Sequence, residues 1–231
     1  MKKIIFAVIF VLYTFFLSAQ SFHKGALVLD MKGAIDVYNT KYTYKLISSG
    51  QDTTIEDKAA NRNIAFGLEY GVLNKLGVGI RYNRAKYFAD ADDSTKLMPN
   101  IYSNNISLQV NYHVLNGKVF NLVGGINVGY SALNVITNNI HKDEMYGKGL
   151  YFDVHVSPRV WMGRFGFQLD LGMPFVSYNK MTSNNTTFNQ NFLAKWKGLG
   201  YSIGMGIQFR FLKNKDAEKT TKSDTDINVT R

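Results

Sequence analysis

The chain has 231 residues, enough for one domain, with 27 Lys plus Arg against 17 Asp plus Glu. The positive excess is scattered and gathers on no single segment, which excludes the footprint of a nucleic-acid binder. Cysteine is absent, so there is no disulfide framework, no thiolate metal site and no cysteine for a lipid anchor. Glycine (20), phenylalanine (16) and tyrosine (14) are abundant and proline is rare (3), a composition suited to β structure with a crowded interior.

The amino terminus reads as an export leader. Met1-Lys2-Lys3 is a basic start, Ile4 to Leu17 is apolar apart from Thr14, and Ser18-Ala19-Gln20 supplies small residues for cleavage. The run is shorter than the ~20 residues of a spanning helix. The expected divisions are a signal peptide at 1–20, a barrel at 21–212 and a disordered polar tail at 213–231.

Eight strands follow, each alternating with period two. In the first, Leu27, Leu29, Met31, Ile35 and Val37 share one parity and Ala26, Asp30, Lys32, Ala34 and Asp36 the other. Thr40 to Ala60 is polar and reads as a loop whose base continues the strands. Strand two sets Ile64, Phe66, Leu68 and Tyr70 against Ala65, Gly67 and Glu69, and strand three sets Val78, Ile80 and Tyr82 against Gly77, Gly79 and Arg81. A polar loop over Ala89 to Asn100 leads to strand four (Ile106, Leu108, Val110, Tyr112 on the apolar side). Leu115-Asn116-Gly117 predicts a three-residue hairpin with Gly117 left-handed. Strand five carries Phe120, Leu122, Ile126, Val128 and Tyr130 on its apolar parity.

After a third loop, Thr137 to Gly149, strand six opposes Leu150, Phe152, Val154 and Val156 to Asp153, His155, Ser157 and Arg159. Gly163-Arg164 predicts a two-residue turn. Strand seven opposes Phe165, Phe167, Leu169 and Leu171 to Gly166, Gln168, Asp170 and Gly172. Lys180 to Lys195 is the fourth long loop, and strand eight, Gly198 to Phe211, pairs Leu199, Tyr201, Ile203, Met205, Ile207, Phe209 and Phe211 against glycines, Ser202, Gln208 and Arg210.

Long apolar rows on one parity would form an intolerable patch in water. Their opposites are glycine and charge, which suits a narrow bore. The fold class is therefore all-β, an eight-stranded antiparallel up-and-down transmembrane β-barrel. Short turns after Val72, Val114 and Met162 alternate with four long loops, and an even strand count places both termini on one side. Pro158 and Pro174 predict bulges. Trp161, Trp196, Tyr112, Tyr130 and Tyr201 are expected as interfacial anchors.

The inward parity carries Asp30, Asp36, Glu69, Asp153 and Asp170 with Lys32, Arg81, Arg159 and Arg210, and His155 beside them. A bore of eight strands is just filled by side chains, so these charges must pair. A structural plug of charge pairs is the expected reading, with Glu69 opposite or diagonal to Arg81 and Asp170 opposite Ser157. An ion path is the alternative. Asp90-Ala91-Asp92-Asp93 offers oxygen ligands for calcium but lacks the Gly and terminal Glu of a calcium loop, so a solvated loop is expected; His141-Lys142-Asp143-Glu144 is as weak a metal site, and no cofactor is expected.

The leader, the eight strands and the terminal Gly206-Ile207-Gln208-Phe209-Arg210-Phe211 resemble the small outer-membrane β-barrels of Gram-negative bacteria (OmpA- or OmpX-like, porin-like). The F-L-S-A-Q region and Asn-rich loops are similar to members from Bacteroidota. The likeness runs from about Gly25 to Phe211. It implies location in the cell outer membrane, contact with outer-membrane lipid and lipopolysaccharide, both termini periplasmic, and assembly by the barrel-assembly machinery reading Gly206, Phe209 and Phe211. Here a further tail follows the terminal aromatic. The implied function is structural or adhesive, with an extracellular ligand at the loops. A narrow or gated channel and a lipid-modifying barrel enzyme are the alternatives. His155-Val156-Ser157 is similar to the His-x-Ser of barrel lipid A deacylases, with Pro158 where those carry Asn.

Overall fold

A computed structural model describes residues 21–89, 99–137 and 143–211. The expected leader and tail, Asp90-Ala91-Asp92-Asp93, His141 and Lys142 lie outside the described residues. Eight strands form one closed antiparallel barrel in sequence order. They are β1 (Leu27–Leu46), β2 (Asp52–Gly71), β3 (Leu76–Tyr87), β4 (Asn100–Asn116), β5 (Phe120–Ile136), β6 (Glu144–Met162), β7 (Phe165–Ser183) and β8 (Phe192–Phe211). β8 closes on β1, with Leu27 opposite Phe211 and Ile35 opposite Ile203. One helical turn, α1 (Thr186–Asn191), caps the β7–β8 connection, its first amides held by the Asn185 side chain.

Burial is inverted relative to a soluble protein. Leu108 is 69% exposed and Met205 73%, whereas Glu69 and Arg159 are fully buried. The apolar parity faces outward on all eight strands and the polar parity faces the bore. A ring of strands leaves no unpaired edge and satisfies every backbone ladder internally, which is what lets such a surface lie in hydrocarbon. The barrel spans a membrane through these strands. Among the described residues no helix is long and apolar enough to cross one.

The strand boundaries differ from expectation at the loop end. The polar stretch Thr40 to Ala60 is mostly strand: β1 and β2 pair from Lys45 with Asp52 downward, and only 47–51 make the turn, with Gly50 at φ 71°. This hairpin adds roughly 20 Å of paired strand above the apolar belt. β6 likewise starts at Glu144 instead of Leu150, and β7 and β8 run into the expected loop. Above the membrane the outward face meets water in place of lipid, so pairing continues while the alternation fades.

The turns and bulges also shift. Gly163 has φ 65° in its two-residue turn, but Gly117 does not adopt a positive φ; irregularity at that hairpin lies between His113 and Leu115. Pro158 and Pro174 carry no bulge: the register is in phase on either side of each, and both ladders simply skip there. The β7 bulge lies between Tyr178 and Met181 instead. Trp161 and Trp196 are not interfacial anchors, because both sit on the inward parity. Trp161 is buried at the turn end, and Trp196 packs on Tyr87 and Tyr178 at the loop end. Tyr112, Tyr130 and Tyr201 do face outward.

Glycines on the two faces of β5 separate these environments. A Cβ at Gly129 would overlap the backbone of Ile106 and Ser107, whereas one at Gly124 meets nothing within 4 Å. Gly129→Val is expected to abolish the folded barrel and Gly124→Val to change stability by no more than about 1 kcal/mol. Loss of the heat-dependent gel shift of the folded barrel in the first variant alone is the readout.

Candidate functional site

The bore is the candidate site, since period-two alternation on eight strands directs most of the buried polar groups into it. It is filled in three layers. At the turn end, the segment before β1 folds under the barrel. Gly25 at φ 85° turns the chain, and Phe22 lies fully buried, stacked on His113 with ring centroids 3.7 Å apart. The Phe22 amide donates to Asn116 Oδ1 (2.9 Å), and Asn116 Nδ2 donates to the Phe22 carbonyl (2.7 Å). Arg210 closes this layer from β8. Its guanidinium lies 4.6 Å over the Trp161 ring and donates to the carbonyls of Gly163 (2.8 Å) and Ser21. Arg210 thus has carbonyl and aromatic partners, and among the described residues no carboxylate pairs with it.

The middle layer holds the remaining charges. Lys32 Nζ meets Asp170 Oδ1 at 2.5 Å, and Ser157 Oγ donates to Asp170 Oδ2 at 2.7 Å. Arg81 Nη2 donates to Asp30 Oδ1 at 2.9 Å, and Arg159 Nη1 to Glu69 Oε2 at 3.1 Å. His113 Nε2 lies 3.0 Å from Glu69 Oε1. Asp153 accepts from Asn127 Nδ2 (2.8 Å), with His155 Nδ1 at 3.3 Å from the same oxygen. Asp36 accepts from Asn63 Nδ2 (2.9 Å) and the Tyr38 hydroxyl (3.2 Å).

The pairings were only partly readable. Glu69 stands opposite Gly79, and Gly67 opposite Arg81, so Glu69 and Arg81 are diagonal on the β2–β3 ladder. Yet Arg81 reaches over Gly67 to Asp30 on β1, and Glu69 is met across the bore by Arg159 from β6. Gly67 makes the first pairing possible: a Cβ there would overlap the Asp30 carboxylate. Sequence spacing finds ladder neighbours, but long side chains in a narrow bore choose partners across it. His113, Asn63 and Asn127 were missed because neutral inward residues carry no charge signal.

His155 and Ser157 face the bore and are buried, each held to a different carboxylate, Asp153 and Asp170. Gly206 lies on the inward parity opposite Lys32, while Phe209 stacks edge-on with Phe165 and Phe211 at the turn end. No group of three or more metal-ligating side chains occurs among the described residues.

The loop-end layer is aromatic. Tyr38, Tyr87, Tyr151 and Tyr178 pack with Leu133, Val176 and Met181. Ser131 Oγ lies 2.6 Å from the Tyr178 hydroxyl. Above them an apolar cavity of about 220 Å³ opens between Tyr42, Phe88, Ile101, Val135, Met145 and Trp196.

Against solved structures, the chain is similar to outer membrane protein OprG from Pseudomonas aeruginosa, at 13% identity over 84% of this chain and 99% of that one, with a TM-score of 0.54. It is also similar to outer membrane protein AlkL, at 13% identity over 85% of this chain and 95% of that one, with a TM-score of 0.51. The fold is that of the small outer-membrane β-barrels. No protein-family model and no curated protein matches the chain.

Removing one member of a buried ion pair strands the other and costs about 3–5 kcal/mol, whereas replacing both by apolar groups of similar size is far milder. Arg81→Met is therefore expected to lower the urea midpoint strongly, and Arg81→Met with Asp30→Leu to recover most of the loss. Equal destabilisation by the single and double variants would show that the pair carries no coupling.

Proposed function

We propose that this chain is an outer-membrane barrel with a closed, non-conducting bore that works at the cell surface through its loop end, as a structural or ligand-binding protein. The observation that carries this reading is the three-layer fill: Phe22 with Arg210 below, ion pairs between, and a tyrosine layer above. OprG and AlkL, two solved structures similar in fold, are outer membrane proteins, which supports the location. The residues of 1–20 support export by a cleaved leader. Phe209 and Phe211, with Gly206, are proposed as the signal that the assembly machinery reads on the closing strand. Ligand contact is assigned to the loop-end mouth, where the β1–β2 hairpin projects and the apolar cavity opens.

A second reading, a narrow gated channel, is favoured by polar atoms that point into the bore. Both amide atoms of Gln109 and Nε and Nη1 of Arg81 have no protein partner among the described residues. Such atoms favour a bore that exchanges its contents. The enzymatic reading draws least support: His155 and Ser157 are turned from the lipid and bound to separate acids.

Purified barrel in a planar bilayer separates the first two. The closed bore predicts no reproducible conductance steps across a wide voltage range. Discrete steps of one amplitude, scaling with salt, would establish the channel instead.

A further inference from the structure

The outward face has a gap in its apolar belt at Gly33. Gly33 lies on β1 between Met205 on β8 and Ile64 on β2, with Met31 and Ile35 two residues either side. A shallow groove of about 620 Å³ runs over it, floored by Gly33 and Gly204 and walled by Ile35, Ile64, Leu169, Ile203 and Met205. A second groove of about 550 Å³ shares Gly33, Ile64 and Met205 and continues it toward Phe167 and Ile207. Packing does not demand this glycine. A Cβ at Gly33 would meet only the Asn63 carbonyl, at 3.9 Å, unlike the bore glycines whose Cβ would overlap neighbours.

The loop-side end of the groove is cationic. Arg62, Arg84 and Lys86 line it. Arg62 stands directly opposite Lys86 on the β2–β3 ladder, and Arg84 is two residue pairs below on the same face, opposite Ile64. Like charges face to face repel, and cations on a lipid-facing wall are costly except near its edge. Among the described residues none of the three forms an ion pair, whereas Lys41, higher on the same side, is offset by Glu56 at 3.3 Å. Arg84 is held in place over the Tyr102 ring, 5.3 Å from its centroid. A triad with no acidic partner among the described residues, at the top of an apolar trough, matches one kind of occupant: an anionic head on an acyl chain.

We propose that this groove seats one phosphorylated glycolipid of the surrounding leaflet, of the lipid A kind. Its phosphates lie on Arg62, Arg84 and Lys86, where guanidinium forks suit phosphate oxygens, and one acyl chain lies over Gly33. Three cations on two rungs call for more than a single phosphate charge. The inference rests on the membrane-barrel reading, with the loop end outward.

The test uses the full mature chain folded in phosphatidylcholine nanodiscs doped with bisphosphorylated lipid A, with its dephosphorylated form, or with phosphatidylglycerol. Lipid retained after mild detergent release is counted by native mass spectrometry. Wild type should retain one bisphosphorylated lipid A that excess inorganic phosphate does not displace. Retention should fall about tenfold or more in R62Q/R84Q/K86Q and in G33L, which fills the trough without altering charge. Both variants leave the bore untouched, and the heat-dependent gel shift reports folding. Equal retention by wild type and either folded variant overturns the site. So does equal retention of phosphatidylglycerol or of the dephosphorylated lipid, or displacement by phosphate alone. A wild-type chain that fails to insert at all overturns the membrane reading itself, a distinct result.

Discussion

The structure depends on one constraint: a ring of eight strands has a bore no wider than its own side chains, yet this chain sends nine formal charges inward. Each must find a partner at contact distance or the fold loses several kcal/mol per stranded ion. The solution uses glycine as much as charge. Gly67 leaves room for Asp30 to reach Arg81, and Gly77 leaves room for the Glu69 side chain that Arg159 and His113 hold. The glycine-rich inward parity and the charge pairs are one device, since a methyl at either position would displace a carboxylate.

Much of this was legible in the residues. The outward rows, such as Phe165, Phe167, Leu169 and Leu171, and the closure of β8 on β1 follow from period-two alternation once one face must be apolar. The expectation failed where lipid stops imposing the pattern. Thr40 to Leu46 pairs as strand above the lipid belt, where the outward face no longer has to be apolar, so no alternation marks it. Proline was over-read: an amide missing from a ladder is accommodated by skipping two residue pairs, and Pro174 does so with no extra residue.

Partner choice inside the bore was the least legible part. The Glu69–Arg81 spacing suggested a ladder pair, but a guanidinium spans the bore as easily as it spans a rung. The plug at the turn end left no pattern to find. Ser21 and Phe22 are too short a segment for periodicity, and their role appears only with the Asn116 and His113 side chains brought beneath the barrel. Trp161 read as an interfacial anchor by type, yet its parity is inward and its partner is Arg210. Parity is the more reliable guide, because it is set by the backbone and not by residue preference.

The two surfaces therefore do different work. The inner one is filled by side chains that pair with one another, and the proposed function and lipid site place recognition at the loop end and on the lipid-facing wall. The measurement that tests this division most directly exploits the absence of native cysteine. Single cysteines placed in turn along β8 from Leu199 to Phe211 are spin-labelled in bilayers, and their accessibility to oxygen and to a water-soluble nickel reagent is recorded. The account predicts high oxygen access with period two at Leu199, Tyr201, Ile203, Met205 and Ile207, and protection from both reagents at the alternate sites. Nickel access at the alternate sites, or a profile without that period, would contradict it.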